Sequence, residues 1–244
     1  MKLVLDMGNT RLKWGLADEG SPDHVQLQRL GVLDYGRESL ASWAEECQSY
    51  PLEDICFASV VDAEREQAVL SALPGHFGPR RLRVSQSIAG LENAYATPET
   101  LGVDRWAAAI GAWSLLGGPC LVISAGTATT VDLIQVHRSG GIYRGGLILP
   151  GVSLMLEALH KGTARLPQAV GSYRAAPDVA DNTLDAMTSG ALEATCGAIE
   201  RMAQRLDEQA PWVITGGDAP RLASVLGSRA KVIDGLVLEG LARV

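Results

Sequence analysis

Residues 3–16 read LVLDMGNTRLKWGL. The apolar run Leu3 to Leu5 has the length and composition of a buried strand, and Asp6 falls at its tip. Gly8, Asn9, Thr10 and Lys13 follow before Trp14 resumes the apolar pattern, so the stretch reads as a β-hairpin with a polar turn. Residues 120–134, CLVISAGTATTVDLI, repeat that layout, with Gly126-Thr127 at the turn and Thr129 and Thr130 before the next apolar strand. Gly126 stands 118 positions beyond Gly8, close to half of the 244 residues. The surroundings repeat as well. After the first hairpin come the strand-like runs DICFASV (54–60) and RLRVS (81–85), with a helix-compatible stretch from Asp62 to Leu73 between them. After the second come YRGGLILPG (143–151), an Ala-rich helical region from Thr183 to Gln209, WVITGG (212–217) and AKVIDG (230–235). Strands alternating with helices in two copies predict a duplicated α/β domain with a cleft between the copies.

The composition narrows the functions available. Hydrophobic residues make up 47% and charged residues 20% of the chain, which predicts a globular fold. A net charge of −7 with scattered Lys and Arg gives no electrostatic footprint for nucleic acid. Cys47, Cys56, Cys120 and Cys196 form no CxxC pair and no metal-ligand spacing with the four histidines, so they read as buried hydrophobes in a reducing compartment. Asp6 interrupts the first apolar run too early for a signal peptide. Trp106 to Val131 contains no charged residue, but Gly117-Gly118-Pro119 divides it into a buried helix, a turn and a buried strand, and no membrane span is expected. The chain is expected in the cytoplasm.

The two glycine turns suit phosphate. Backbone N–H groups exposed in a tight turn form a concavity for anions, and Asn, Thr and Lys side chains add donors and a positive charge. Two such turns could grip consecutive phosphates of a nucleotide, with Asp6 placed to hold magnesium, directly or through water. One copy alone is also explained by a hairpin turn whose Asp satisfies backbone N–H groups; repetition at half-chain spacing favours phosphate. There is no GxxxxGK[ST] and no GxGxxG. Gly216-Gly217, at the end of a strand, would let a flat group such as adenosine lie against the backbone. On the acceptor side, Gly102 and Asp104-Arg105 precede the helical run RWAAAIGAW. An Asp there often serves as an N-cap. It also suits acceptance of a hydroxyl proton, while Arg suits an anionic group.

These residues resemble the type III pantothenate kinases, of the acetate kinase, sugar kinase, heat-shock-70 and actin superfamily. The resemblance covers nearly the whole chain: D-x-G-N-T-x-x-K (Asp6 to Lys13), N-x-Y-x-x-P-x-x-L-G-x-D-R (Asn93 to Arg105), G-T-A-x-T-x-D (Gly126 to Asp132), G-G-x-I-x-P-G (Gly145 to Gly151), Leu166-Pro167, Asn182-Thr183 with Ser189-Gly190, T-G-G-D (Thr215 to Asp218) and L-x-L-E-G-L (Leu236 to Leu241). It implies duplicated ribonuclease H-like, actin-like ATPase domains, here over 1–116 and 117–244, flanking a nucleotide cleft. It further implies ATP-dependent phosphorylation of pantothenate at its terminal hydroxyl, the first step toward coenzyme A, with Asp104 as general base. Tyr95, Gly102, Val103 and Arg105 would line the pantothenate pocket. Asp6, Gly8, Asn9, Thr10, Lys13, Gly126 and Thr127 would hold the ATP phosphates and magnesium, with Gly216 and Gly217 beside the nucleotide. Thr183 resembles the residue that completes the pocket from the neighbouring subunit of a homodimer, with GGLILPG near that interface.

One position departs from the family. Its members commonly carry an acid two residues before the glycine of the second turn, where it binds potassium or ammonium; here the residue is Ser124. Two other readings share the same motifs: a phosphotransferase of this superfamily with a different acceptor, and a non-catalytic nucleotide-binding relative. Retention of Asp6, Lys13, Asp104 and Arg105 disfavours the second.

Overall fold

The computed structural model describes residues 1–18, 25–75, 78–137 and 140–244. Contacts divide the chain into two compact units: Met1–Gly117 with His137–Tyr143 and Gly235–Val244, and Gly118–Val136 with Arg144–Asp234. The sequence expectation was two successive stretches, 1–116 and 117–244. The units part at nearly the same place, but the second half returns two segments to the first unit.

In the first unit, β1 (Lys2–Met7), β2 (Arg11–Asp18) and β3 (Gln26–Asp34) form an antiparallel meander. Helix α1 (Leu40–Gln48) leads to β4 (Asp54–Ser59), which runs parallel to β1 on its other side. Helix α2 (Ala63–Ala72) leads to β5 (Arg80–Arg81), parallel to β4, and the sheet order is β3-β2-β1-β4-β5. Leu3, Leu5 and Met7 pack with Leu12, Trp14 and Leu16 and with Trp43, Phe57 and Val69 in one apolar core. The alternation of β1 therefore sends Asp6 to the opposite face. Of RLRVS (81–85), only Arg81 pairs in β5; Arg80 lies before it. Beyond it, β6 (Ser87–Ile88) and β7 (Leu91–Asn93) pair antiparallel, and helix α3 (Val103–Leu116) carries a nearly all-buried run from Arg105 to Ala112.

The second unit repeats the plan. The hairpin of β8 (Cys120–Ala125) and β9 (Ala128–His137) is followed by β10 (Gly140–Pro150), α4 (Val152–Gly162) and α5 (Thr183–Ala203). Then come β11 (Trp212–Thr215), parallel to β8, α6 (Ala219–Leu226) and β12 (Ala230–Val232), parallel to β11. The order β10-β9-β8-β11-β12 matches the first sheet strand for strand. Leu121, Ile123 and Ala125 face a core completed by Val131, Leu156, Leu192, Ile199 and Leu222. Helix α5 stops at Ala203 rather than continuing to Gln209. The Asp207 carboxylate accepts the Gln209 backbone N–H at 2.9 Å, a local turn that competes with helix.

The last helix, α7 (Leu236–Ala242), belongs to the first unit. The Lys2 ammonium on β1 donates to the Ala242 carbonyl at 3.3 Å, and α7 packs on α3. Likewise Gly141–Tyr143, at the start of β10, pair in parallel with β7.

Candidate active site

In the first unit, β1 is flanked by β2 and β4, so the acid at its tip is enclosed. Asp6 lies opposite Lys13 in register, its carboxylate 3.8 Å from the Lys13 ammonium, and is only 8% exposed. Burial pushes its carboxyl up to about 6; the Lys13 charge pulls the other way, and the Asp104 charge adds to the rise. Asp104 is therefore within electrostatic reach of Asp6 in the same unit. The turn beyond is closed by the Gly8 N–H donating to the Arg11 carbonyl at 3.1 Å, leaving Asn9 and Thr10 exposed at its apex. A desolvated carboxylate with one ammonium nearby gains from a further cation. Among the described residues no group of three or more His, Cys, Asp or Glu could hold a metal. A single acid sharing the ion with phosphate oxygens and water is nonetheless how magnesium accompanies a nucleotide, and Asp6 fits that part.

The acceptor residues gather at the start of α3. Its N-cap is Gly102, which offers no side-chain bond, and Asp104 sits in the first turn with a carboxylate oxygen accepting the Arg105 backbone N–H at 2.9 Å. Asp104 is thus not the N-cap. A β-carbon on Gly102 would stand 2.7 Å from that same oxygen. Val103 opens the helix, and Arg105 is 5% exposed with its guanidinium 5.8 Å from the Tyr95 ring centre. The Tyr95 N–H donates to the Asn93 side-chain oxygen at 2.9 Å, and the Asn93 amide donates to the Ser85 carbonyl at 3.1 Å, which fixes the segment. Tyr143 backs this corner, 6.3 Å from Tyr95 and edge-on to Trp106 at 5.8 Å. The sequence reading omits Tyr143: it lies on β10, and no local pattern ties it to the acceptor segment. A carboxylate beside a buried guanidinium that lies against the Tyr95 ring can take a hydroxyl proton and hold an anion.

In the second unit, Ser124 occupies the place on β8 that Asp6 occupies on β1, fifth of six residues. Thr130 and Thr215 stand beside it in register on the two neighbouring strands, so the three hydroxyl residues share one face. The Thr130 hydroxyl is buried without a partner among the described residues. Asp132 pairs with Val122, further from the turn than Ser124. The Gly126 N–H donates to the Ala128 carbonyl at 3.0 Å, and Gly126 and Thr127 are exposed. The Thr127 carbonyl in turn accepts from the Gly151 N–H at 2.9 Å, which ties the turn to the start of α4. Gly216 brings a second loop to the same place. Its φ of +103° belongs to glycine, and the Asp218 N–H donates to the Ala125 carbonyl at 3.1 Å. Gly217 beside it has open space. Gly126-Thr127 and Gly216-Gly217 therefore meet at the ends of adjacent strands. Thr183 is exposed as the first residue of α5, whose N-cap Asn182 accepts the Asp185 N–H at 3.0 Å.

The sequence profile of the type III pantothenate kinases matches residues 2–205. The type III pantothenate kinase of Aromatoleum aromaticum is 39% identical, with 100% of this chain and 97% of the relative aligned. That of Azoarcus sp. is 38% identical over 99% of this chain and 89% of the relative. Among solved structures, component A of the (R)-2-hydroxyglutaryl-CoA dehydratase of Acidaminococcus fermentans superposes with a TM-score of 0.55 at 12% identity, over 99% of this chain and 96% of that one, a likeness of fold alone. The duplicated α/β fold is that of the actin-like ATPases and sugar kinases. The chain belongs to the type III pantothenate kinase family and phosphorylates pantothenate on the route to coenzyme A.

Proposed function

We propose that Asp104 is the general base of this reaction: it accepts the proton of the terminal hydroxyl of pantothenate as that oxygen bonds to the γ-phosphorus of ATP, the bond from that phosphorus to the β–γ bridging oxygen breaks, and ADP leaves. The observation that carries the assignment is the joint position of Asp104 and Arg105 at the start of α3. Asp104 is half-buried and free of capping duty, and the guanidinium beside it is buried against Tyr95. Arg105 holds the pantothenate carboxylate, and Tyr95, Gly102 and Val103 shape the pocket around the chain. On the first unit the N–H groups and side chains of Gly8, Asn9, Thr10 and Lys13 take phosphate; on the second, Gly126 and Thr127 do so, and Gly216 and Gly217 take the nucleoside. Magnesium bound with ATP would supply neutralisation of phosphate charge, and Asp6 would hold it.

Further assignments rest on separate observations. Ile148 is 65% exposed, and Leu147, Leu154 and Leu159 are exposed with it on β10 and α4. That apolar surface on the second unit supports a homodimer, and the exposure of Thr183 supports its service to a neighbouring subunit. All four cysteines are free and buried, which suits the cytoplasm. No helix among the described residues is long and apolar enough to cross a membrane.

The test is a coupled assay of purified protein with ATP and a panel of acceptors that includes pantothenate, run for the wild type and for Asp104→Asn. Turnover confined to pantothenate and lost in the variant supports the reading. Turnover on another acceptor gives the site to a different phosphotransferase reaction.

A further inference from the structure

Arg65 lies in the first turn of α2, and nothing in its local sequence marks it. Its own N–H donates to the Asp62 cap at 2.8 Å, which fixes the helix start. Its guanidinium is held at two places. One nitrogen donates to the Asn9 carbonyl at 3.0 Å, and the group lies over the Tyr35 ring, 5.0 Å from its centre. That distance is within the range where a cation is attracted to an aromatic face. The Tyr35 hydroxyl is buried without a partner among the described residues, so the ring is wedged in place by packing and presents its face to the arginine.

The bond to Asn9 acts on the next residue. A peptide unit is planar and trans, so its C=O and N–H point in opposite directions. Holding the Asn9 carbonyl toward α2 turns the Thr10 N–H away from α2, out of the exposed apex of the turn. A cation on the carbonyl also polarises the amide and strengthens that N–H as a donor. We propose that Arg65, seated on Tyr35, is a positioning residue for ATP: it orients and polarises the Asn9–Thr10 peptide so that its N–H is fixed toward phosphate. The proposal rests on the reading of residues 8–10 as a phosphate turn.

The experiment titrates magnesium–ATP into the protein without pantothenate and measures both Michaelis constants for Arg65→Ala, Arg65→Lys, Tyr35→Leu and Lys13→Met. Arg65→Ala is expected to weaken ATP binding and raise the ATP KM about tenfold, the effect of one charged hydrogen bond. The pantothenate KM, and kcat at saturating ATP, should stay within about twofold. Arg65→Lys keeps a donor without the planar stack and should recover part of the loss, and Tyr35→Leu should reproduce part of it. Unchanged ATP affinity in Arg65→Ala, or equal rises in both Michaelis constants, overturns the proposal. If Arg65→Ala does not fold, Arg65→Lys decides by the same split. Lys13→Met separates the two failures. ATP binding lost in Lys13→Met but kept in Arg65→Ala refutes only the role of Arg65, whereas binding kept in Lys13→Met refutes the phosphate turn itself.

Discussion

An Asp104 carboxylate oxygen lies 2.7 Å from where a β-carbon on Gly102 would stand. The φ of Gly102, −58°, is open to any residue, so the requirement for glycine comes from its neighbour's carboxylate rather than from its own backbone. Gly102→Ala should therefore push the Asp104 side chain aside while the helix still forms. A displacement near 1 Å of a reacting group lowers kcat by about 10- to 100-fold. Thermal unfolding should move little. A kcat near wild type would mean that the position of this carboxylate does not matter to turnover.

Asp104→Asn should lower kcat by about 10²–10⁴-fold, the usual contribution of a positioned base. The amide oxygen can still accept the Arg105 N–H, and Gly102 remains the cap, so stability and pantothenate binding should persist. Retained turnover with the wild-type pH profile would remove Asp104 from the chemistry.

Asp6 makes the apoprotein sensitive to pH. Its carboxyl titrates near 6 in the folded state against 3.8 ordinarily, because burial disfavours the charge. The folded state keeps a proton that the unfolded chain releases, so stability falls as pH rises from about 4 to 6 and stays reduced above that. Asp6→Asn should make the apoprotein more stable than wild type by about 1–3 kcal/mol at pH 7.5, with no advantage below pH 4. With saturating magnesium–ATP the order should reverse, because the variant lacks the carboxylate that ligand binding rewards. Denaturant midpoints across this range measure it; a loss of stability equal at every pH contradicts it.

Ser124 predicts weak dependence on potassium. ATP brings about four negative charges, and magnesium with Lys13 offsets about three. At Ser124 the neighbouring side chains in register are the neutral Thr130 and Thr215, and Asp132 sits further along β9 beside Val122. A monovalent cation there lacks its strongest attraction. Turnover in a sodium-free Tris buffer should change little on adding potassium at matched ionic strength, whereas Ser124→Asp should become potassium-activated. Strong activation of the wild type would show that this serine does not weaken the site.

Thr183 can be tested by subunit mixing. If it completes the pocket of a neighbouring subunit, an Asp104→Asn protein and a Thr183→Trp protein, each inactive alone, should regain about a quarter of wild-type activity after exchange, since each mixed dimer holds one intact pocket. No recovery after verified exchange would place Thr183 in its own subunit's chemistry or outside the reaction.

The sequence is most legible where structure is local. Both hairpins announce themselves because a glycine turn interrupts an apolar run, and Gly102, Asp104 and Arg105 fall at a helix start as their spacing suggests. What depends on partners far along the chain is not legible. RLRVS has strand composition, yet of its five residues only Arg81 pairs with β4, beside Arg80 just before it. Tyr143 reaches the acceptor corner because the start of β10 pairs with β7, and Arg65 reaches Asn9 because α2 begins beside the β1–β2 turn. The return of α7 to the first unit depends on its packing against α3, which no periodicity in residues 236–242 foretells.

The two sheets share one strand order but not one charge. Where the first tip pairs Asp6 with Lys13, the second pairs Ser124 with Thr130, across a turn one residue shorter. An ancestor that assembled from two identical halves would have had identical tips, each bound to the same chemistry. Fusion of the halves into one polypeptide lifts that obligation, since each copy can then mutate without altering the other. The acid and the lysine on one copy, and the hydroxyls on the other, fit such a division of labour.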